Sequence, residues 1–435
     1  MTTAHPFHPK TASKRKKQTG KLSLPDAISM AVGGMIGGGI FSVLGVTVAL
    51  AGHLAVACFI VGGIIALMTA HSFALLSSNA GKSGGLFIFL RNCGYPKTGA
   101  FLSWFLIFGY VVALAVYSFT FGHYAAHVLG VGSLFARIFS VGITFIFFAI
   151  NIKGVSTSAI TENIIVGIKI LILAVISTIG FFHFTSSRFT PLANNGISNI
   201  LIGATTIFVA YEGFELLSYD YDDLENPKRN MRRALYISVL TVIAVYVIVT
   251  IGSQLLLDDA TIVSQKEVAF ASVGQSALGI FGKWLATFAA LLATCSAINA
   301  TLFSSARQMR EISTKKELPA VFEKSHHDIP INSLALLSIF SAGFSLLPGI
   351  TELLTFGSAI FLLVFAITNF LAFKISKSWQ QKVIGFTAFM ACTIALLTLF
   401  IQLALHDRST LLLIAICVLT VSFARIIFMF KTNHL

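Results

Sequence analysis

Apolar residues fill this chain in long blocks, and the charged residues gather in the short stretches between them. The blocks do not alternate with period two, as the strands of a lipid-embedded barrel would; Ile164–Gly180 is a clear case. A helix satisfies its own backbone hydrogen bonds in lipid and needs about 20 mostly apolar residues to cross it. The pattern therefore predicts spanning helices, twelve of them, at 23–50, 54–78, 98–129, 135–152, 158–184, 197–219, 234–256, 276–306, 332–348, 352–373, 383–405 and 410–430. The expected fold class is an all-α polytopic membrane protein with 12 transmembrane helices.

Composition narrows the function classes. Of the 435 residues 56% are apolar and only 11% charged, against about 25% charged in a soluble domain. A soluble enzyme, a nucleic-acid-binding module and a disordered chain are excluded, because so much apolar surface could not be hidden from water. The excess of 30 Lys+Arg over 17 Asp+Glu is explained by orientation, since Lys and Arg favour cytoplasmic loops. With the N-terminus inside, 24 Lys/Arg fall on the cytoplasmic side and five on the other (Arg137, Arg188, Lys266, Lys283 and Arg408). Both termini are expected in the cytoplasm of a multi-pass plasma (inner) membrane protein, with Lys14-Arg15-Lys16-Lys17 as a topology determinant on the tail. Cys58, Cys93, Cys295, Cys392 and Cys417 show neither CxxC nor metal-ligand spacing, so no disulfide framework, zinc site or other cofactor is expected.

Two spans carry irregularities. In span 1, Gly33, Gly34, Gly37, Gly38 and Gly39 occupy five of seven positions, each weakening a helix by about 1 kcal/mol relative to Ala. Gly33/Gly37 and Gly34/Gly38 are GxxxG pairs that could serve close packing. The other reading is an unwound hinge at mid-membrane, whose freed N–H groups suit a carboxylate and whose freed carbonyls suit an ammonium. Span 6 supplies the matching irregularity in the other half, Phe208-Val209-Ala210-Tyr211-Glu212-Gly213-Phe214-Glu215, with a glycine and two acids inside an apolar block. Spans 1 and 6 are five helices apart and enter from opposite sides. The expected layout is thus a five-plus-five inverted repeat with broken helices 1 and 6 and two peripheral helices. In residues this is a basic tail at 1–22, a core at 23–376 with repeats at about 23–185 and 196–376, and helices 11–12 within 377–435.

Four stretches in order carry a family resemblance. They are Gly34–Phe41; Ser83-Gly84-Gly85 with Gly99-Ala100-Phe101 and Trp104; Asn151-Ile152-Lys153-Gly154-Val155 with Asn163; and Ala210–Glu215 followed by Glu225-Asn226-Pro227-Lys228-Arg229. Over about residues 22–375 the chain resembles the amino acid–polyamine–organocation (APC) superfamily of permeases. The resemblance implies a secondary active amino acid transporter working by alternating access. Carried over by position, the substrate carboxylate would meet the N–H groups of Gly37, Gly38 and Gly39. The ammonium would meet carbonyls of Met35 and of Val209, Ala210, Tyr211 and Glu212. Lys169, about 16 Å along span 5, resembles the lysine that stands where sodium-dependent members bind sodium, implying sodium-independent transport coupled through its charge or a proton.

The chain also departs from the family pattern. Glu212 replaces an apolar residue, pointing to a cationic substrate, a proton site or a structural acid. Val209 stands at a usual aromatic gate, which is then absent or supplied by Phe208. His71 replaces a tyrosine and reads better as a packing residue than as a proton relay. Glu215 matches a frequent acidic position and is a candidate proton-linked switch. Expected partners are an amino acid, protons and membrane lipid, and no nucleic acid. Proton-coupled uptake and amino acid/amine exchange both fit. A membrane enzyme lacks a catalytic set, a channel would repeat its filter, and a non-transporting amino acid sensor would be expected to add a large soluble domain.

Overall fold

The computed structural model of the chain describes residues 21–154, 159–183, 190–192, 195–326 and 329–433. The run Lys14–Lys17, Val155, Ser158 and Arg188 lie outside the described residues. The helices, in order, are α1 Leu24–Ala51, α2 Ala55–Ala80, α3 Gly85–Asn92, α4 Pro96–Leu129, α5 Ser133–Ile152, α6 Ala159–Phe181, α7 Asn199–Thr206, α8 Pro227–Leu256, α9 Asp259–Ser264, α10 Ala269–Thr314, α11 Ile331–Phe344, α12 Ile350–Ile375, α13 Trp379–His406 and α14 Arg408–Asn433. Short 3-10 segments lie at Gly52–Leu54, Phe208–Tyr211, Phe214–Asp223 and Ala320–Phe322. Among the described residues there is no strand, only the isolated bridges Leu22–Leu224 and His326–Ile329.

Nine of the described helical stretches are long and apolar enough to cross a membrane, ten when the bent pair Asn199–Thr206 and Phe208–Asp223 is taken as one. The first of the nine, Leu24–Ala80, consists of α1 and α2 meeting at Gly52–Leu54. The molecule is therefore an all-helical polytopic membrane protein. Its apolar character is two-sided. The middle of α1 is buried all round, and so is most of α4, whereas α5, α13 and α14 turn large apolar side chains such as Phe135, Ile146, Leu405 and Leu412 outward. Helices that are apolar on every face belong inside a bundle; the outward-facing apolar shell suits lipid.

Local chemistry sets the ends of α1 and α8. Ser23 caps α1, its hydroxyl 3.5 Å from the Asp26 N–H while Asp26 Oδ2 accepts from Ser23 N–H at 3.0 Å, and Pro25 sits in the first turn. Pro227 begins α8 after Asn226. Leu22 pairs with the far end of the sixth span: its N–H donates to Asp223 O at 2.8 Å and its carbonyl accepts from Glu225 N–H at 2.9 Å. The eighth span, expected over 276–306, lies within the longer α10, which carries a sharp bend at Leu278 and Gly279. Beyond that bend the chain folds back so that Gly274 and Gly282 touch.

The rupture expected in span 1 is not present. Residues 33–39 wind on inside the uninterrupted helix α1. Their glycines serve approach instead. A methyl group at Gly33 would overlap Glu162, at Gly37 Ala297, at Gly38 the Tyr117 ring and at Gly39 the Tyr246 hydroxyl. The intrinsic cost of glycine in a helix is here offset by packing against α4, α6, α8 and α10, the use of small residues seen in membrane interfaces.

Candidate functional site

The break expected in span 6 is present. α7 ends at Thr206, a 3-10 turn covers Phe208–Tyr211, Glu212 is extended (ψ 148°), and Gly213 takes φ 118°. The two halves bend by 56°. Gly213 is needed twice over: its φ lies where side chains are disfavoured, and a Cβ there would sit 2.8 Å from the Gly34 carbonyl carbon and 2.9 Å from Met35 N. The break thus presses its backbone onto the glycine run of α1.

A broken helix at membrane depth must place its freed polar groups. Ser358 of α12 takes two of them, accepting from Val209 N–H at 2.9 Å and donating to Thr206 O at 2.8 Å. Tyr211 donates its hydroxyl to Phe59 O at 2.6 Å. The Tyr246 hydroxyl, from α8, stands 2.8 Å from both Met35 O and Ala210 O. Carbonyls from two different spans therefore converge on one donor. These two belong to the carbonyl set expected for an ammonium.

The glycine run of α1 has further donors on its carbonyls. Ser42 Oγ lies 2.6 Å from Gly38 O and 2.9 Å from Gly39 O. Lys169, fully buried on α6, donates Nζ–H to Gly33 O at 3.1 Å. Glu162 and Val166, on the same face of α6 as Lys169, cover Gly33. Ser296 of α10 in turn donates to Glu162 at 2.6 Å, and Asn163 donates to Asp26 at 2.7 Å. Side chains thus engage the carbonyls of residues 33, 35, 38 and 39. Because α1 is continuous, the N–H groups of Gly37, Gly38 and Gly39 are spent within the helix and not free as expected.

Both acids of the break are buried. Tyr117 of α4 donates its hydroxyl to Glu212. Glu215 accepts from Gly213 N–H at 3.0 Å. Val209 packs against Gly357, and Phe208 meets Phe365 edge-on, ring centres 6.0 Å apart. His71 is hydrogen-bonded through Nδ1 to the Tyr236 hydroxyl, away from the break. All five cysteines are free, and no group of three potential metal ligands occurs among the described residues. A cavity of about 420 Å³ lies beyond the Ala51 end of α1, lined by His53, Thr190, Gln254, Asp258 and Asp259.

The structure therefore sets Met35 and Gly39 of α1 beside Ala210 of the break and Gly38 against Tyr117, the partner of Glu212, with Lys169 on the same stretch of α1; Gly37 instead faces Ala297, Phe208 and Val209 face α12, Tyr211 faces α2, and Glu215 turns back onto Gly213. Sequence reasoning missed Tyr117, Tyr246 and Ser358. Their signal was a hydroxyl in the middle of an apolar span, weaker than an acid or a glycine cluster.

Comparison with known proteins gives the chain a family. Residues 22–423 match the sequence profile of a family described as amino acid permease. An uncharacterized protein of Methanocaldococcus jannaschii is 30% identical over 389 residues, 88% of this chain and 89% of that one. The inner membrane transport protein YbaT of Escherichia coli is 29% identical, covering 70% of this chain and 72% of its own. The serine/threonine exchanger SteT of Bacillus subtilis is 26% identical, over 72% and 71%.

Proposed function

Because this chain belongs to the amino acid permease family, we propose that it is a secondary active amino acid transporter, sodium-independent and proton-coupled, working by alternating access. Twelve spans form it, ten of them as two inverted repeats at about 23–185 and 196–376, with α13 and α14 as a peripheral pair. The protein lies in the plasma (inner) membrane with both termini in the cytoplasm, the orientation favoured by the Lys/Arg distribution. The cavity beyond Ala51 is then the access vestibule on the far side.

One observation carries this reading: the carbonyls of Met35 and Ala210 meet at a single donor, the Tyr246 hydroxyl. An ammonium group has three donors and suits such a cradle better than one hydroxyl does. Substrate displaces Tyr246 from it. The run Gly37–Gly39 opens as Tyr117, Tyr246 and Ala297 withdraw, and its N–H groups then receive the carboxylate. The side-chain donors on the carbonyls of residues 33, 35, 38 and 39 favour that opening, because each competes with a helical hydrogen bond. Lys169 holds Gly33 at the start of the run and supplies the fixed positive charge.

The test is thermal stabilisation of the purified protein by individual amino acids, since a ligand of the folded form raises its melting point by mass action. L-serine and L-threonine are the first probes, given the exchanger among the relatives. Flux into empty and preloaded liposomes follows. Saturable uptake into empty vesicles under a proton gradient, without sodium, is expected. Strict dependence on internal amino acid would make the protein an exchanger. No stabilisation by any amino acid and no saturable flux would defeat the proposal.

A further inference from the structure

Glu212 and Glu215 flank Gly213, and each is 1% exposed. Buried carboxylates are ordinarily paired with a cation or fully hydrogen-bonded. This pair is neither. Glu212 Oε2 accepts from Tyr117, and Glu212 Oε1 has no partner. Glu215 Oε2 accepts from Gly213 N–H, and Glu215 Oε1 has no partner. No lysine, arginine or histidine among the described residues is bonded to either acid.

The groups that face the pair are neutral: α2 packs Phe73 on Phe214, and Arg307 of α10, the cation nearest the break, is paired with Asp220 farther along it. From α4 come Tyr110 and Tyr117, from α8 Tyr246, and from the break itself Tyr219. From α1 comes the backbone of Gly34 and Met35, and from α12 comes Ser358, already bonded to Val209 and Thr206. By accepting from Gly213 N–H, the Glu215 carboxyl folds back onto the residue next to Glu212, so the two acids lie on one short stretch of backbone, each with an orphaned oxygen. A hydrogen bond between them needs a donor, and two ionised carboxylates have none.

We propose that Glu212 and Glu215 hold one proton between them, carried on Glu212 Oε1 and donated to Glu215 Oε1, and that this is the proton coupled to transport. The single proton completes both orphaned oxygens at once. Tyr117 then donates to the carbonyl oxygen of the Glu212 acid, and Glu215, ionised, receives both the Glu212 O–H and the Gly213 N–H. When the Glu212 O–H bond breaks, the proton leaves to water and two adjacent carboxylates remain. They repel each other across Gly213 and loosen the break from α1. The coupling half of this inference rests on the proposed transport function; the shared proton does not.

Infrared spectroscopy of the full-length protein without substrate, at neutral pH, tests the pair directly. A C=O stretch of a protonated carboxylic acid, shifting on transfer to D2O, is expected in the wild type. It should be lost in Glu212→Gln and in Glu215→Gln, either of which puts an amide donor in place of the acid proton. In Tyr117→Phe it should move to higher frequency, because the acid carbonyl loses a hydrogen bond. A wild-type spectrum without the band, or a band unchanged in Glu212→Gln, overturns the shared proton. In liposomes, wild-type uptake of L-serine should carry protons with it, and the number of protons per L-serine should fall to none in Glu212→Gln at whatever flux remains. An unchanged ratio overturns the coupling. Absence of wild-type flux for every amino acid would instead count against the transport reading and leave the infrared result standing.

Discussion

Replacing Gly213 by Ala tests the join between the break and α1 at its tightest point. Two separate costs follow from the geometry. The first is conformational: Gly213 has φ 118°, and a side chain at positive φ costs roughly 1–2 kcal/mol. The second is steric: the added Cβ would lie 2.8 Å from the Gly34 carbonyl carbon and 2.9 Å from Met35 N. Both are backbone atoms, which cannot rotate aside, and overpacking of this sort costs about 1–3 kcal/mol. The sum is about 2–5 kcal/mol. Gly81 provides the control, with φ 63° and nothing within 4 Å of a new Cβ, so Gly81→Ala should show the conformational cost alone. Thermal or denaturant unfolding in detergent, alongside uptake in liposomes, reads both variants. Gly213→Ala should be destabilised clearly more than Gly81→Ala, and its uptake should fall because the break can no longer seat on α1. Equal destabilisation of the two, with uptake intact in both, would refute the close approach as the feature that holds the site together.

Other outcomes follow from the same contacts. Lys169→Ala removes a charged hydrogen bond worth about 1.5–3 kcal/mol, so uptake in sodium-free buffer should drop roughly 10- to 100-fold; wild-type rates would exclude Lys169 from coupling. Ser358→Ala strands the buried N–H of Val209 and the carbonyl of Thr206, a loss of about 1–3 kcal/mol that should lower the melting temperature, and a variant melting with the wild type would show that water or backbone shift satisfies them. Tyr246→Phe should melt below the wild type without ligand yet gain more on adding a bound amino acid, because the ammonium no longer competes with a hydroxyl; an equal gain in both proteins would count against the cradle. Asp407, in the turn before α14, accepts from Ser409 Oγ at 2.6 Å and Thr410 N–H at 3.1 Å, and these bonds, Ser409 first, hold its carboxyl below the usual carboxylate value. The stabilisation is present above that ordinary value and is lost as pH falls through the lowered one. Hydrogen exchange in the first turn of α14 should accelerate across that acid window in the wild type and show no such step in Asp407→Asn.

The all-helical, membrane-crossing character was legible because its cause is one-dimensional: an apolar run of sufficient length has few alternatives in lipid. The sixth span was legible as a broken one for a related reason, since Glu212, Gly213 and Glu215 violate the apolar rule at a single place. Span 1 misled because glycine has two opposite uses. It weakens a helix, and it also lets neighbours touch one; which use prevails depends on Tyr117, Ala297, Glu162 and Tyr246, which are distant in sequence. Ser358 escaped notice because a serine or threonine hydroxyl can bond back within its own helix, as Thr120 does to Val116 O at 2.8 Å, and Tyr117 and Tyr246 because a tyrosine ring in a span reads first as apolar bulk until the partner of its hydroxyl is seen. Residue types marked where the chain is irregular, and only the packed arrangement showed which groups repair it.

The two backbone hydrogen bonds that tie Leu22 to Asp223 and Glu225 have a mechanical consequence. They clasp the start of the first span to the end of the sixth as a hinge pin clasps two leaves. Farther in, Gly34 and Gly213 only touch, and the next tie between the leaves is the Tyr246 hydroxyl shared by Met35 O and Ala210 O. A push delivered at one leaf therefore swings the other about the pinned end, and the separation it opens grows with distance from the clasp, toward the glycine run and the cradle of carbonyls.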